Sequence, residues 1–319
     1  MTRWAPVAAA AGVVVVLGAA VAVVATHGGG STQSAAAAPS ATPTPALAGL
    51  RVRDGDLVTA AGTVLAAPGK PVRFCAPTAS ALPGIPGPEQ PPGCSPAVTL
   101  VGADVSRLAD QKAYRGTRWG QARITGRYGH GTITVTDQGV RGTEPAVPET
   151  SRPFTPPCPA PTGGWQPGLL GRSGLDALDS VIQHHPGTYG DVSVTYPGGL
   201  PAGITTSPLP AGTTQVAMVT TTLDPATAET ALRVHYAGNL CVVRTRHSRA
   251  DTDAVWRKLS PENGTGDLWR RYGVFQGGPD YFAGQARIML MVLDDAAYRW
   301  LDGVGGAMVE AQPWLRRVG

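Results

Sequence analysis

His184 and His185 are adjacent and directly precede Pro186-Gly187. An imidazole pair suggests metal ligation, yet neighbouring side chains on a helix diverge and do not close on one ion. A basic pair at a helix C-terminus, where the helix dipole favours positive charge, fits these residues better. Asp176 and Asp179 lie three apart and share a helical face. Acid–base work by two carboxylates needs them in different environments across a cleft, so this pair reads as a solvated face. Gly171-Arg172-Ser173-Gly174 lacks the second glycine spacing of a nucleophile elbow, and Ser173 is expected to cap the following helix. His235, His247 and Asp253 form the cluster from which a hydrolase could draw a base and its orienting carboxylate. These patterns assign no catalytic or metal-ligating residue, and no cofactor is expected.

The four cysteines, Cys75, Cys94, Cys158 and Cys241, form no C-x-x-C pair. An even number of cysteines in an exported chain reads as a disulfide framework, and metal-site spacing is missing. Of three pairings, Cys75–Cys94 with Cys158–Cys241 is expected, because each bridge then stays within one domain when the second is taken from about residue 157. A loop of the first size gives a stabilisation of about 3 kcal/mol in the chain-entropy picture.

Export itself is read from the N-terminus. Residues 5–26 carry no charge and consist almost wholly of Ala, Val, Gly and Leu, after a lone Arg3. About 20 apolar residues cross the hydrocarbon core as a helix. The run exceeds the apolar core of a cleaved secretory signal, which favours a retained transmembrane signal-anchor. The next formal charge is Arg51. Residues 1–4 are therefore expected in the cytoplasm and the bulk of the chain outside, on a single-pass span of the cell membrane. The Gly, Ser, Thr, Ala and Pro tract at 27–49 cannot bury a core and reads as a disordered linker. A second proline-rich break, the connector at 142–164, separates a domain at 50–141 from one at 165–319. The formal charge is only +4, with no Lys/Arg run, which removes nucleic acid as an expected partner.

The domain at 50–141 reads as all-β. Strands are expected at Leu57–Leu65, Val72–Cys75, Val98–Val101, Ala122–Tyr128 and Thr132–Thr136, the last with Ile133 and Val135 alternating with threonines. Tyr128-Gly129-His130-Gly131 has hairpin-turn composition. Gly62 and Gly126 inside strands mark a bulge or a sharp bend. With a short helix near Leu108, these five strands resemble an OB-type barrel. That resemblance implies a face able to take oligonucleotides or sugars. A structural barrel without a ligand is the simpler expectation.

The domain at 165–319 alternates helix and strand. Leu175, Leu178, Val181 and Ile182 form a helical stripe, followed by strands at Val192–Tyr196 and Val216–Thr222. Asp224-Pro225 opens a helix, Leu240–Thr245 is a strand, and Ser248 to Asp251 has capping-box form before a helix to Leu259. A strand at Ile288–Leu293, a helix capped by Asp294 and a strand at Ala307–Ala311 complete it. Thr222-Leu223-Asp224-Pro225-Ala226 repeats as Val292-Leu293-Asp294-Asp295-Ala296, each between strand and helix. Two strand–helix–strand units resemble a ferredoxin-like α+β sandwich. The rhythm is also similar to the α+β pro-domains of secreted bacterial serine proteases. The whole chain resembles membrane-anchored extracytoplasmic proteins of the actinobacterial type.

The stretch 264–284 reads as an aromatic loop. Core packing is the default reading of its aromatics, and Trp269, Tyr272, Phe275, Tyr281 and Phe282 are the candidate interaction surface. The expected function is non-enzymatic: binding or scaffolding at the cell envelope, with an envelope protein or the cell wall as partner. The alternatives are an envelope hydrolase, or an inhibitor or pro-domain-like chaperone of a secreted enzyme.

Overall fold

Alternating burial builds the first half of the molecule. The computed structural model describes residues 47–77, 90–140, 155–168, 170–199, 213–261 and 265–318. The expected span at 5–26, most of the linker and part of the connector lie outside these. Among the described residues no helix is long and apolar enough to cross a membrane. Where the linker was expected to continue, a one-turn helix α1 (Leu47–Leu50) forms. Its leucines pack against the last α+β unit.

Six strands follow: β1 (Leu57–Ala66), β2 (Val72–Cys75), β3 (Ala97–Val101), β4 (Ala109–Tyr114), β5 (Thr117–Gly129) and β6 (Thr132–Gly139). Along β5, Ala122, Ile124, Gly126 and Tyr128 are buried while Arg123 and Arg127 are exposed, the period-2 signature of a strand with one face on a core. β1 pairs antiparallel with β2 and, over its whole length, with β5, from Leu57↔Arg127 to Ala66↔Arg118. β2 pairs with β3, β3 runs parallel to β6, and β6 returns antiparallel to β5. The circuit β1-β2-β3-β6-β5 therefore closes on itself and leaves no free edge within it. β4, which the sequence pattern missed, hairpins onto β5 outside the circuit. It carries Asp110 at a positive φ and a register shift, so its alternation is broken. The expected helix near Leu108 is a 3-10 turn at Val105–Arg107, capped by Asp104. Gly126 sits at a bulge against β6, where a Cβ would lie 2.3 Å from the Thr134 carbonyl oxygen. The turn after β5 has His130 and Gly131 both at positive φ, as a two-residue hairpin of primed type requires.

The second half holds two copies of one arrangement. Helix α2 (Arg172–His184), strands β7 (Tyr189–Thr195) and β8 (Val216–Thr221), helix α3 (Pro225–Arg233) and strand β9 (Leu240–Arg244) form the first. Helices α4 (Arg249–Leu259) and α5 (Thr265–Tyr272), strands β10 (Val274–Asp280) and β11 (Gln285–Leu290), helix α6 (Asp295–Gly305) and strand β12 (Val309–Pro313) form the second. In each, a hairpin is followed by a crossover helix and a parallel third strand, giving sheet orders β7-β8-β9 and β10-β11-β12. Asp224 and Asp294 cap the two crossover helices, so the short sequence repeat marks equivalent corners. One four-stranded sandwich was expected; two three-stranded sheets form instead. β8 and β9 pair directly, as do β11 and β12, which leaves no gap for a strand of the other unit. Ser248 and Asp251 make the expected capping box. Ser173 does not cap α2: the helix begins one residue earlier, and Gly171 is its N-cap without a side-chain bond. The stretch 264–284, expected as a loop, contains α5 and β10. Gly277-Gly278-Pro279 suggests a loop but is tolerated because β10 is an edge strand.

Both expected disulfides form, Cys75–Cys94 and Cys158–Cys241. The chain then returns to the barrel: a last short strand, β13 (Arg316–Arg317), pairs with β1. Trp314 and Leu315 enter the barrel core together with Met291 and Val292. The Trp314 indole N–H donates to the Ala61 carbonyl at 3.1 Å, and its ring centroid lies 4.4 Å from that of Phe74. A Cβ on Gly62 would stand 2.4 Å from the indole Cζ2. Gly62 is thus a notch for Trp314.

Filling the notch or emptying it is expected to loosen barrel and second unit together. Gly62→Ala should cost about 1–3 kcal/mol by overpacking and Trp314→Ala about 3–5 kcal/mol by cavity formation, read as the free energy of urea unfolding. Among the bridges, loss of Cys158–Cys241, with a sequence separation of 83, should cost more than loss of Cys75–Cys94, with 19. The chain-entropy difference is about 1.3 kcal/mol, measurable from Cys→Ser pairs.

Candidate functional site

Of the five aromatic residues expected to share one surface, Trp269 and Tyr272 pack on one cluster, Phe275 and Phe282 on two others, and Tyr281 is held by polar contacts. Trp269 packs against the α4–α6 core, meets Trp256 edge-on at 6.1 Å and donates its indole N–H to the Leu259 carbonyl. Tyr272 stacks on Trp300 at 4.5 Å with a 7° interplanar angle. Phe275 packs on the barrel core, and Phe282 packs beside Cys158, Cys241 and Trp165. The Tyr281 hydroxyl donates to Asp253 at 2.7 Å, and the Arg249 guanidinium lies 4.3 Å from its ring centroid. Burial, then the Asp253 hydrogen bond, push the Tyr281 phenol above its ordinary pKa.

That contact also engages the carboxylate of the hydrolase cluster. Asp253 is held by Tyr281, His247 lies before the N-terminus of α4, and His235 is exposed beyond the end of α3. No hydrogen bond or ion pair joins the three. His184 ends α2, with Nδ1 2.6 Å from the Ser180 carbonyl oxygen, and His185 is the C-cap, a basic helix terminus as expected. Asp176 is exposed and Asp179 accepts from Gln183 on the same helix. Among the described residues no group of three His, Cys, Asp or Glu could hold a metal ion.

A cleft of about 430 Å³ opens where the barrel meets the second α+β unit. That volume lies within the usual range of small-ligand sites. Tyr128, Met291 and Val292, all buried, line it together with Gly131 and Gly273. Arg53 and Asp54 come from the segment before β1, His130 from the β5–β6 turn, Arg270 to Tyr272 from the end of α5, and Asp294, Asp295, Ala296 and Arg299 from the start of α6. Tyr272 is the member of the expected aromatic surface that reaches this cleft.

The cleft's carboxylates are occupied internally. Asp54 accepts the His130 backbone N–H at 3.0 Å and lies 3.2 Å from His130 Nδ1, clamping the hairpin turn. Asp294 accepts from Ala296 and Ala297 at the N-terminus of α6. Asp295 pairs with Arg51, whose guanidinium also lies over the Tyr298 ring. The hydrogen bond from Arg51 holds the Asp295 carboxyl below the usual range against its desolvation, with help from the charges of Arg51, Arg299 and Arg53. Arg270 pairs with Asp267. Arg53, Arg271 and Arg299 have no carboxylate within ion-pair distance among the described residues. Sequence reasoning marked the Tyr128–Gly131 turn and the Asp294 cap but not their meeting. The Arg270-Arg271 doublet closing an aromatic helix was the available signal. No protein-family model, curated protein or solved structure matches this chain.

Burial, followed by the charge of Asp294, raises the Tyr128 phenol from 10.0 to about 12, although the Gly131 N–H pulls the other way. The folded state therefore favours the neutral phenol. This contribution to stability is whole below pH 10.0 and falls as pH climbs towards 12, because the unfolded chain releases its proton first. Tyr128→Phe is expected to remove part of the alkaline slope of unfolding free energy while leaving the neutral region parallel. Urea titrations across the alkaline limb measure this, and identical slopes would refute it.

Proposed function

We propose that this chain is a membrane-anchored extracytoplasmic binding or scaffolding protein of the cell envelope and that it works without catalysis. The observation that carries the reading is the cleft between barrel and second unit, built from charged side chains on a buried apolar and aromatic floor. Such a combination suits recognition: the half-buried Tyr272 ring supplies contact area above the closed floor and the charged rim supplies orientation. Two disulfides support an oxidising compartment, and the uncharged run at 5–26 supports an anchor that places the remainder there. The closed circuit has the strand order of an OB-type barrel, with β6 parallel to β3 and the 3-10 turn after β3. The ligand enters where the barrel's β5–β6 turn faces α5 and α6.

The test is retention of solubilised envelope material by the oxidised full chain, immobilised in neutral detergent. The comparison bait is Ala296→Trp, which fills the cleft from an exposed helical position. Specific retention by the native chain and its loss on Ala296→Trp are expected. Equal retention by both baits, or by neither, overturns the cleft as the binding site.

A further inference from the structure

The charges of the cleft are spent unevenly. Each of its three carboxylates already serves a turn, a helix end or an arginine. Arg53, Arg271 and Arg299 come from three separate elements and line the same cleft without an ion pair at bonding distance among the described residues, while the charges of Arg53 and Arg299 act on Asp295 from farther off. Arg271 lies over Tyr272, its guanidinium carbon 5.4 Å from the ring centroid, and that ring is itself fixed by stacking on Trp300. Guanidinium groups match planar or tetrahedral oxyanions by paired N–H donors. A carboxylate offers two oxygens and one charge. A phosphate monoester offers three terminal oxygens and up to two charges, which suits three forks better than a carboxylate or a diester. The cleft volume of about 430 Å³ also leaves room beyond the anion for a larger body against Tyr128, Met291 and Val292.

We infer that the cleft binds an organic phosphate monoester, with Arg53, Arg271 and Arg299 as its anion-binding side chains. This rests on the cleft being the binding site, and it names the ligand class. The phosphate is borne either by a lipid headgroup or by a soluble or wall-linked molecule. Both sources present the same oxyanion to the same three arginines.

The full chain in neutral detergent, titrated calorimetrically with inorganic pyrophosphate, tests the assignment. Saturable binding that weakens with added salt is expected. Arg53→Gln and Arg271→Gln should each weaken it about tenfold, the usual scale for one charge-assisted hydrogen bond. Arg271→Lys should fall between, since it keeps the charge and loses the fork. Arg118→Gln, exposed on the barrel and outside the cleft, should bind as the native chain does. Unchanged melting temperatures establish that the exposed substitutions leave the fold intact. Displacement of pyrophosphate by short-chain phosphatidic acid, a lipid monoester, identifies a headgroup; displacement by glycerol 3-phosphate but not by that lipid identifies a soluble or wall-linked phosphate. Absence of pyrophosphate binding, or equal binding by native chain and Arg271→Gln, overturns the inference. If the Ala296→Trp comparison still separates the two baits in that case, the anion assignment falls and the binding reading stands. If both assays fail, both readings fall.

Discussion

The contact on which the rest depends is the Trp314 indole lying in the Gly62 notch. A buried indole must satisfy its N–H, and the Ala61 carbonyl does so at 3.1 Å. The absence of a Cβ at Gly62 lets the ring lie against β1 at a distance no other residue would permit. Backbone bonds carry the same seam in both directions. Trp314 and Leu315 donate to Leu290 and Met291, Val52 donates to Leu293, and Val318 donates to Leu57. The second sheet is therefore sewn to the barrel by main chain and locked by one aromatic ring. The cleft exists because that seam holds the β5–β6 turn opposite the first turns of α6.

The two α+β units share a plan but cover their sheets differently. Both put helices on one face, with Leu178, Ile182 and Leu232 in the first and Val255, Leu259 and Leu301 in the second. The first covers Val216, Met218 and Cys241 with Cys158, Trp165 and Phe282. That second face is held by a bridge rather than by a large apolar area. In the second unit Arg287 reaches Asp280 at 2.6 Å and Glu310 at 3.1 Å, and Gln312 donates to Glu310. A half-buried network of this kind contributes little net stability, because desolvation offsets attraction. Its geometry is specific, however: it spans β10, β11 and β12 and so ties the strands into one register.

Local pattern made much of this legible and long-range closure did not. Ile133 and Val135 announce a strand, Asp224-Pro225 and Ser248-Asp251 announce helix starts, and the turn at His130-Gly131 announces a hairpin, because each signal is a few residues long. Compartment and domain logic sufficed for the disulfide pairing. β10 was illegible because its glycines and proline are permitted only by its place at a sheet edge, which is a tertiary fact. The glycine at 62 was recognised as a special backbone position, but its partner lies 252 residues away, and no periodicity connects them. The aromatic stretch was read as one group for the same reason, although its members stay half-buried and Tyr272 reaches the cleft. Aromatic residues close in sequence were distributed to three cores by strand alternation and helix pitch.

The charge pattern of the cleft follows from side-chain reach. Aspartate is short, so its carboxylate finds the nearest backbone N–H groups. Asp54 holds the hairpin turn and Asp294 the helix end in this way. Arginine carries its charge at the end of a long stem and can cross a gap to a partner, as Arg51 does to Asp295. Where turns and helix ends crowd together, acidic groups become structural and basic groups remain available. The same residues that shape the cleft thus set its sign. Its lining sets four arginines against three aspartates, so the basic excess is small, as it is for the chain as a whole, and the difference lies in which side chains can still reach a ligand.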